Sequence, residues 1–169
     1  TCMCSIFENN KSAENITVYL IGERISQENQ NKLKGFAKSY DRKVCIISIN
    51  NIADYIDFDF DTNGWSSIIL ARLFSDKLLP QEVDRILYLD GDTLVLEDIG
   101  SLFYSDLGDK VIGMCPEPTV DKSRKEFLAL KEHPYHNSGV LLIDLKKWRR
   151  EEIGKKVIEF YQFHEGKLF

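Results

Sequence analysis

The fold class is indicated most clearly by the segment RILYLDGDTLVL, residues 85–96. Its first half is a short apolar run without polar alternation, which is typical of a strand buried on both faces in an α/β protein. Two carboxylates, Asp90 and Asp92, follow directly where this run ends. Open α/β sheets bind ligands at the carboxyl ends of their strands, so the pair marks a candidate binding site.

Asp90 and Asp92 are spaced so that they can act together. Side chains two residues apart on an extended backbone point to the same side, and Gly91 between them has no side chain to block close approach. Such a pair predicts a hard divalent cation held by oxygens, one that itself carries a phosphate. The alternative is an Asp-Gly hairpin turn between strands at residues 86–89 and 93–96, and the motif alone supports both interpretations equally.

Length and composition restrict the class of protein. With 169 residues and 43% hydrophobic residues, the chain has the length of one domain and enough apolar side chains for a core. The formal net charge of -5 and the lack of a basic run argue against nucleic acid as the main partner. No apolar run reaches about 18 residues, so no transmembrane segment is expected. No signal-peptide pattern opens the chain.

The cysteines and histidines do not predict a metal centre. Cys2, Cys4, Cys45 and Cys115 show neither paired C-x-x-C spacing nor a dense disulfide framework. We interpret them as reduced residues of an intracellular protein that pack as small hydrophobic side chains. The three histidines are not spaced as ligands, and none is assigned to a metal.

Predicted strands and helices alternate along the chain. This pattern favours an α/β fold with a mostly parallel sheet covered by helices on both faces. The acidic stretch 50–61 is expected to be a solvated loop rather than a calcium site, because its glycine and terminal glutamate are missing. The predicted strands are 16–21, 44–49, 86–89, 110–115 and 139–143, and the predicted helices are 26–40, 62 or 63 to 79, and 146–164, with a helical turn near 99–103.

Two further segments carry polar side chains that could belong to a site. Arg72 lies on the helix before the Asp-Gly-Asp strand, and a solvated helix residue is the competing interpretation. The segment YHNSG, residues 135–139, precedes the strand 140–143 and could hydrogen-bond a hydroxylated ligand. An Asx-type turn is the competing interpretation of this segment.

In combination, these segments resemble glycosyltransferase family 8, which includes bacterial lipopolysaccharide galactosyl- and glucosyltransferases and the glycogenins. Residues 85–99, followed by Leu102 and Phe103, are similar to its DxD block. The segment HNSGVLLIDLKKWR, residues 136–149, is similar to its Asn-Ser/Ala-Gly strand and the helix that follows. Residues 66–79 are similar to its Arg-Leu helix. The resemblance runs from about residue 4 to the last residue.

The resemblance implies a GT-A fold and a metal-dependent, retaining transfer of a hexose from UDP-galactose or UDP-glucose to a saccharide or glycolipid acceptor, in cell-surface glycan synthesis. Mn²⁺ or Mg²⁺ would be held by Asp90 and Asp92. A cytoplasmic location is implied, with peripheral attachment to a membrane compatible with it. No catalytic residue and no oligomeric state are assigned. The implied donor-binding residues are Arg72, Asp90, Gly91, Asp92, Asn137 and Ser138.

The chain also departs from the family pattern. His136 stands where the family usually has Phe. The family's first strand, which cradles the uracil, and its later Asp-Gln and His-x-x-Gly motifs have no counterpart in residues 1–169. We therefore expect a single GT-A domain over 1–169 that is incomplete at both ends and inactive by itself.

Two other functions are compatible with parts of the sequence. A haloacid-dehalogenase phosphatase would use Asp90 as nucleophile and Asp92 as acid/base, but Leu94 stands where it would have Thr or Val, and its later acidic pair and lysine are not found. A non-catalytic protein that binds a nucleotide or a glycan is the other alternative.

Overall fold

The helices and strands follow the predicted alternation in a computed structural model, which describes residues 1–62, 64, 66–128, 130 and 133–164. The strands are β1 (Thr17–Glu23), β2 (Lys43–Ile49), β3 (Arg85–Leu89), β4 (Ile112–Pro116) and β5 (His136–Asp144). The helices are α1 (Cys2–Asn9), α2 (Gln27–Ser39), α3 (Ala53–Ile56), a 3₁₀ helix (Ser67–Phe74), α4 (Ser75–Leu78), α5 (Gly100–Phe103), α6 (Lys122–Phe127), α7 (Leu145–Arg150) and α8 (Ile153–Phe163). The predicted α/β class is confirmed.

The strand directions correct one part of the prediction. β1 and β2 pair in parallel, as expected for strands joined by the helix α2. β5 lies between β3 and β4 and pairs antiparallel with both. The described strands therefore form two sheets, a parallel one of two strands and an antiparallel one of three, rather than one mostly parallel sheet. An apolar run indicates burial on both faces, but it carries no information on strand direction, which depends on the partner across the sheet.

The hairpin interpretation of the Asp-Gly motif is wrong. Residues 93–96 form no strand, and β3 pairs instead with β5, with Leu89 opposite Val140. A turn does follow the strand, since the Thr93 amide donates to the Asp90 carbonyl at 3.0 Å. Leu94 and Leu96 are exposed on this segment, whereas Val95 is buried.

The predicted helices lie at the expected places in the chain, but they begin and end at different residues. Ser26 caps α2 as predicted, accepting a hydrogen bond from the Asn29 amide at 3.3 Å. The helix expected from residue 62 or 63 begins at Ser67, because Ser66 is its cap; Asn63 lies outside the described residues. The helix predicted at 146–164 is divided into α7 and α8 at Glu152, whose φ of 51° is left-handed. One helical turn, α3, interrupts the acidic loop.

The core lies between the sheets and the helices that follow them. One cluster joins Phe60 and Phe74 to Tyr161 of α8, and another joins Ile143 of β5 to Trp148 of α7. Ile143 is fully buried and lies at the centre of the three-stranded sheet. These contacts hold the 3₁₀ helix and β5 rigidly beside the carboxyl end of β3. Within the described ranges, no helix is long and apolar enough to cross a membrane.

Candidate functional site

The carboxyl end of β3 meets the first residues of β5. The Asp90 amide donates to the Gly139 carbonyl at 2.8 Å, so the backbone pairing of the two strands continues as far as the first carboxylate. Because β5 runs antiparallel to β3, its amino-terminal residues lie at the same edge of the sheet as Asp90. The two segments that resembled family motifs are thus brought together in space.

Arg72 reaches this edge from the 3₁₀ helix. Its Nη1 donates to the Ser138 carbonyl at 2.6 Å and to the Ser138 hydroxyl at 3.1 Å, and its Nη2 lies 3.3 Å from Asp90 Oδ1. Its Nε donates to the Ile69 carbonyl at 3.0 Å. The side chain is only 15% exposed, so the interpretation of Arg72 as a solvated helix residue is wrong.

Tyr88 belongs to the same cluster. Its hydroxyl donates to Asp90 Oδ1 at 2.6 Å, and the Arg72 guanidinium lies 4.8 Å from the centre of its ring. Burial and the hydrogen bond to Asp90 raise the pKa of the Tyr88 hydroxyl far above its usual range. The hydroxyl is therefore a stable hydrogen-bond donor to the carboxylate at neutral pH.

Gly139 leaves room for Asp90. A Cβ atom at this position would lie 2.8 Å from Asp90 Oδ2 and 3.1 Å from Asn137 Oδ1. The Gly139 amide donates to Asn137 Oδ1 at 2.7 Å, a local contact of the Asx type that was the competing interpretation of this segment. Asn137 and Ser138 are both exposed, so each presents a polar surface to solvent at the strand's edge.

Gly91 and Asp92 lie on the exposed side of the same edge. Nothing occupies the space where a Cβ of Gly91 would lie, and the side chain of Asp92 is open to solvent. Asp92 follows Asp90 by two residues, and its charge contributes to raising the pKa of Tyr88. The predicted site residues are all at one edge of the sheet, with Arg72, Asp90 and Ser138 in direct contact.

The oxygen atoms at this edge suit a hard divalent cation. Asp90 offers Oδ2, which neither Tyr88 nor Arg72 contacts, and Asp92 offers an exposed carboxylate. In nucleotide sites Mg²⁺ is usually held by one or two carboxylates together with substrate phosphates, so this pair is a sufficient protein contribution. Within the part of the chain that the structure describes, no group of three or more His, Cys, Asp or Glu side chains could hold a metal ion alone.

Two residues of the cluster were missed from the sequence. The sequence predicts Tyr88 only as part of the apolar strand, and Gly139 only as part of the polar segment 135–139. The spacing of Tyr88 and Asp90 by two residues carried a usable signal, because both side chains must then lie on one face of β3. The closeness of Gly139 to Asp90 depends on pairing between strands and had no local signal. The four cysteines are free thiols, as interpreted from the sequence, but Cys115 is exposed rather than packed as a hydrophobic side chain.

Comparisons with known proteins agree with this geometry. The family model described as glycosyl transferase family 8 matches residues 1–168. A putative glycosyltransferase of Haemophilus influenzae is 28% identical over 92% of this chain and 47% of its own length. The lipopolysaccharide 1,2-glucosyltransferase of Escherichia coli is 28% identical over 91% of this chain and 46% of its own length. The chain thus spans about half the length of these curated relatives.

Solved structures show the same architecture. The galactosyltransferase LgtC, crystallised with donor and acceptor sugar analogs, superimposes with a TM-score of 0.83 at 27% identity. The superposition covers 99% of this chain and 60% of that one. This likeness confirms the GT-A fold expected from the sequence.

Proposed function

Because the chain belongs to glycosyltransferase family 8, we propose that it forms the donor-binding part of a metal-dependent, retaining hexosyltransferase. The donor is a UDP-sugar, UDP-galactose or UDP-glucose, and the acceptor is a saccharide or glycolipid of the cell surface. The observation that carries the proposal is the convergence of Arg72, Asp90 and Ser138, with Asp92 beside them, at the carboxyl end of β3. An arginine beside two carboxylates is the arrangement expected where a cation and a diphosphate are bound together.

Each residue has a distinct task in this proposal. Arg72 presents a guanidinium that is already held in place by Ser138, so it binds a phosphate oxygen with little loss of side-chain entropy. Asp90 and Asp92 would hold Mn²⁺ or Mg²⁺, which when bound supplies Lewis-acid stabilisation of the departing diphosphate. Asn137 and Ser138 lie exposed beside them and offer hydrogen bonds to hydroxyl groups of the donor sugar.

The direct test is hydrolysis of UDP-galactose and UDP-glucose by the intact protein. We expect release of UDP that requires Mn²⁺ or Mg²⁺ and stops in excess EDTA. Full activity in EDTA would contradict the metal-dependent reaction. Binding of UDP-sugar without any hydrolysis or transfer would favour the non-catalytic alternative instead.

No observation favours the phosphatase alternative. The chain matches the model of glycosyltransferase family 8 over residues 1–168, and the later acidic pair and lysine of the phosphatase are not found in its sequence. We expect no phosphoaspartyl analogue at Asp90 after beryllofluoride treatment. Its appearance would return the phosphatase to consideration.

Arg72→Ala tests the proposed contact with the donor. Hydrogen bonds to charged groups contribute on the order of 1.5–3 kcal/mol each. We therefore expect donor kcat/KM to fall by roughly one to two decades, at about 1.4 kcal/mol per decade. The measurement is steady-state hydrolysis over a range of donor concentrations.

Arg150→Ala is the matched control for Arg72→Ala. Arg150 is exposed, pairs with Glu151, and ends the helix that follows the opposite end of β5. The Arg150→Ala substitution should leave the kcat/KM for the donor unchanged. Unchanged kcat/KM for the donor in Arg72→Ala would show that the arginine only stabilises the start of β5 through Ser138 and does not bind the donor.

A further inference from the structure

We propose that Tyr88 is a positioning residue that decides which oxygen of Asp90 is offered to the cation. The proposal rests on the proposed function, because it assigns a task inside the same site. Tyr88 does not need to touch donor or acceptor for this task. Tyr88 acts only through Asp90, which its hydroxyl contacts, and Arg72, which its ring contacts.

The two carboxylate oxygens of Asp90 have different partners. Oδ1 accepts the Tyr88 hydroxyl at 2.6 Å and lies 3.3 Å from Arg72 Nη2. Oδ2 lies above Gly139, where only a hydrogen atom leaves room for it. One oxygen is therefore saturated by protein donors, while the other stays available for a cation.

Without the Tyr88 hydroxyl, Arg72 would compete with the cation for the second oxygen of Asp90. A guanidinium and a carboxylate prefer a fork in which two N–H groups meet both oxygens. The present contact involves Oδ1 alone, and Nη1 of Arg72 is committed to Ser138. Nε of Arg72 is likewise committed to the Ile69 carbonyl, so Nη2 is the nitrogen that is left to meet Asp90. With the Tyr88 hydroxyl removed, the Asp90 carboxylate can rotate so that both of its oxygens face Nη2. Oδ2 would then be drawn from the cation toward the arginine.

The ring and the hydroxyl of Tyr88 make different contacts. The ring lies beneath the Arg72 guanidinium, with 4.8 Å between the guanidinium carbon and the ring centre, a distance that allows cation–π attraction. Tyr88→Phe keeps this ring and the packing of the strand, and it removes only the hydrogen bond to Asp90. The variant therefore isolates the positioning role.

The test is Mn²⁺ binding to the intact protein without donor, followed by the electron paramagnetic resonance signal of the free ion. Hydrogen-bond partners that orient a metal ligand typically contribute 10- to 100-fold in affinity, so we expect Tyr88→Phe to weaken Mn²⁺ binding by roughly tenfold. Tyr19→Phe is the matched control. Tyr19 belongs to the same hydrophobic cluster, but burial, Cys45 and Glu82 rather than Asp90 raise its pKa. It should bind Mn²⁺ like the unmodified protein.

A double-mutant cycle distinguishes positioning from a general loss of structure. If the contact with Arg72 Nη2 is what withdraws Oδ2 from the cation, Arg72→Gln should recover more Mn²⁺ affinity in the Tyr88→Phe background than in the unmodified protein. Equal gains in both backgrounds, or an unchanged dissociation constant in Tyr88→Phe, would overturn the inference. Failure of the unmodified protein to bind Mn²⁺ even with UDP present would instead contradict the proposed function.

Discussion

Replacing Asp92 by alanine is expected to abolish Mn²⁺-dependent hydrolysis of the UDP-sugar donor while the protein stays folded. Loss of one of two carboxylate ligands removes stabilisation of the leaving diphosphate worth several kcal/mol, which corresponds to roughly 100-fold or more in rate. The Asp92 side chain is exposed, so thermal unfolding should change little. Donor hydrolysis and the melting temperature are measured on the same sample.

The control for Asp92→Ala is Asp109→Ala. Asp109 is also exposed, but it precedes β4 and so lies at the opposite end of the three-stranded sheet. Its neighbour Lys110 is its ion-pair partner, and such surface pairs contribute little to stability. Asp109→Ala should retain full hydrolysis. Retention of most activity in Asp92→Ala would show that this aspartate is a turn residue rather than a ligand.

Replacing Gly139 by alanine is expected to lower donor hydrolysis by about 100-fold through displacement of Asp90. The added Cβ would lie 2.8 Å from Asp90 Oδ2, well inside the 3.4 Å at which ordinary contacts begin. The carboxylate is the mobile end of a side chain and can yield, so the fold should survive. An ordinary contact would require the carboxylate to move by at least 0.6 Å, from 2.8 to 3.4 Å. A misplacement of about 1 Å can cost about 10² in rate.

Gly35→Ala provides the comparison for this variant. Gly35 lies within α2, and a Cβ there would meet nothing within 4 Å. We expect unchanged hydrolysis and a small gain in the free energy of unfolding, about 0.5–1 kcal/mol, because alanine loses less backbone entropy in a helix. Wild-type hydrolysis in Gly139→Ala would mean that Asp90 does not need its present position.

Local patterns in the sequence determined the helices and strands and part of the candidate site. The apolar run before Asp90 predicted β3, and Ser26 predicted the start of α2, since both signals depend only on neighbouring residues. The start of the 3₁₀ helix was placed too early, because several polar residues before it could serve as caps and only packing selects among them. The paired aspartates marked the candidate site because they directly follow an apolar strand, at the carboxyl end where open α/β sheets bind their ligands.

Pairing between strands was decided only by the tertiary structure. The sequence could not show that β5 would lie antiparallel to β3, and therefore could not show that Gly139 would sit under Asp90. The direction of a strand and its neighbours depend on contacts between residues far apart in the chain, which no local periodicity encodes.

Family resemblance, by contrast, placed Arg72 beside the two aspartates, although its own neighbourhood looked like a solvated helix. By itself, then, the sequence determined the α/β class, the strand that ends at Asp90 and the identity of the candidate ligands. Only the tertiary structure decided that Arg72, Tyr88, Asp90 and Ser138 form one hydrogen-bonded cluster. The physical reason is that this cluster joins a helix and two strands whose distance is set by the packing of the core between them.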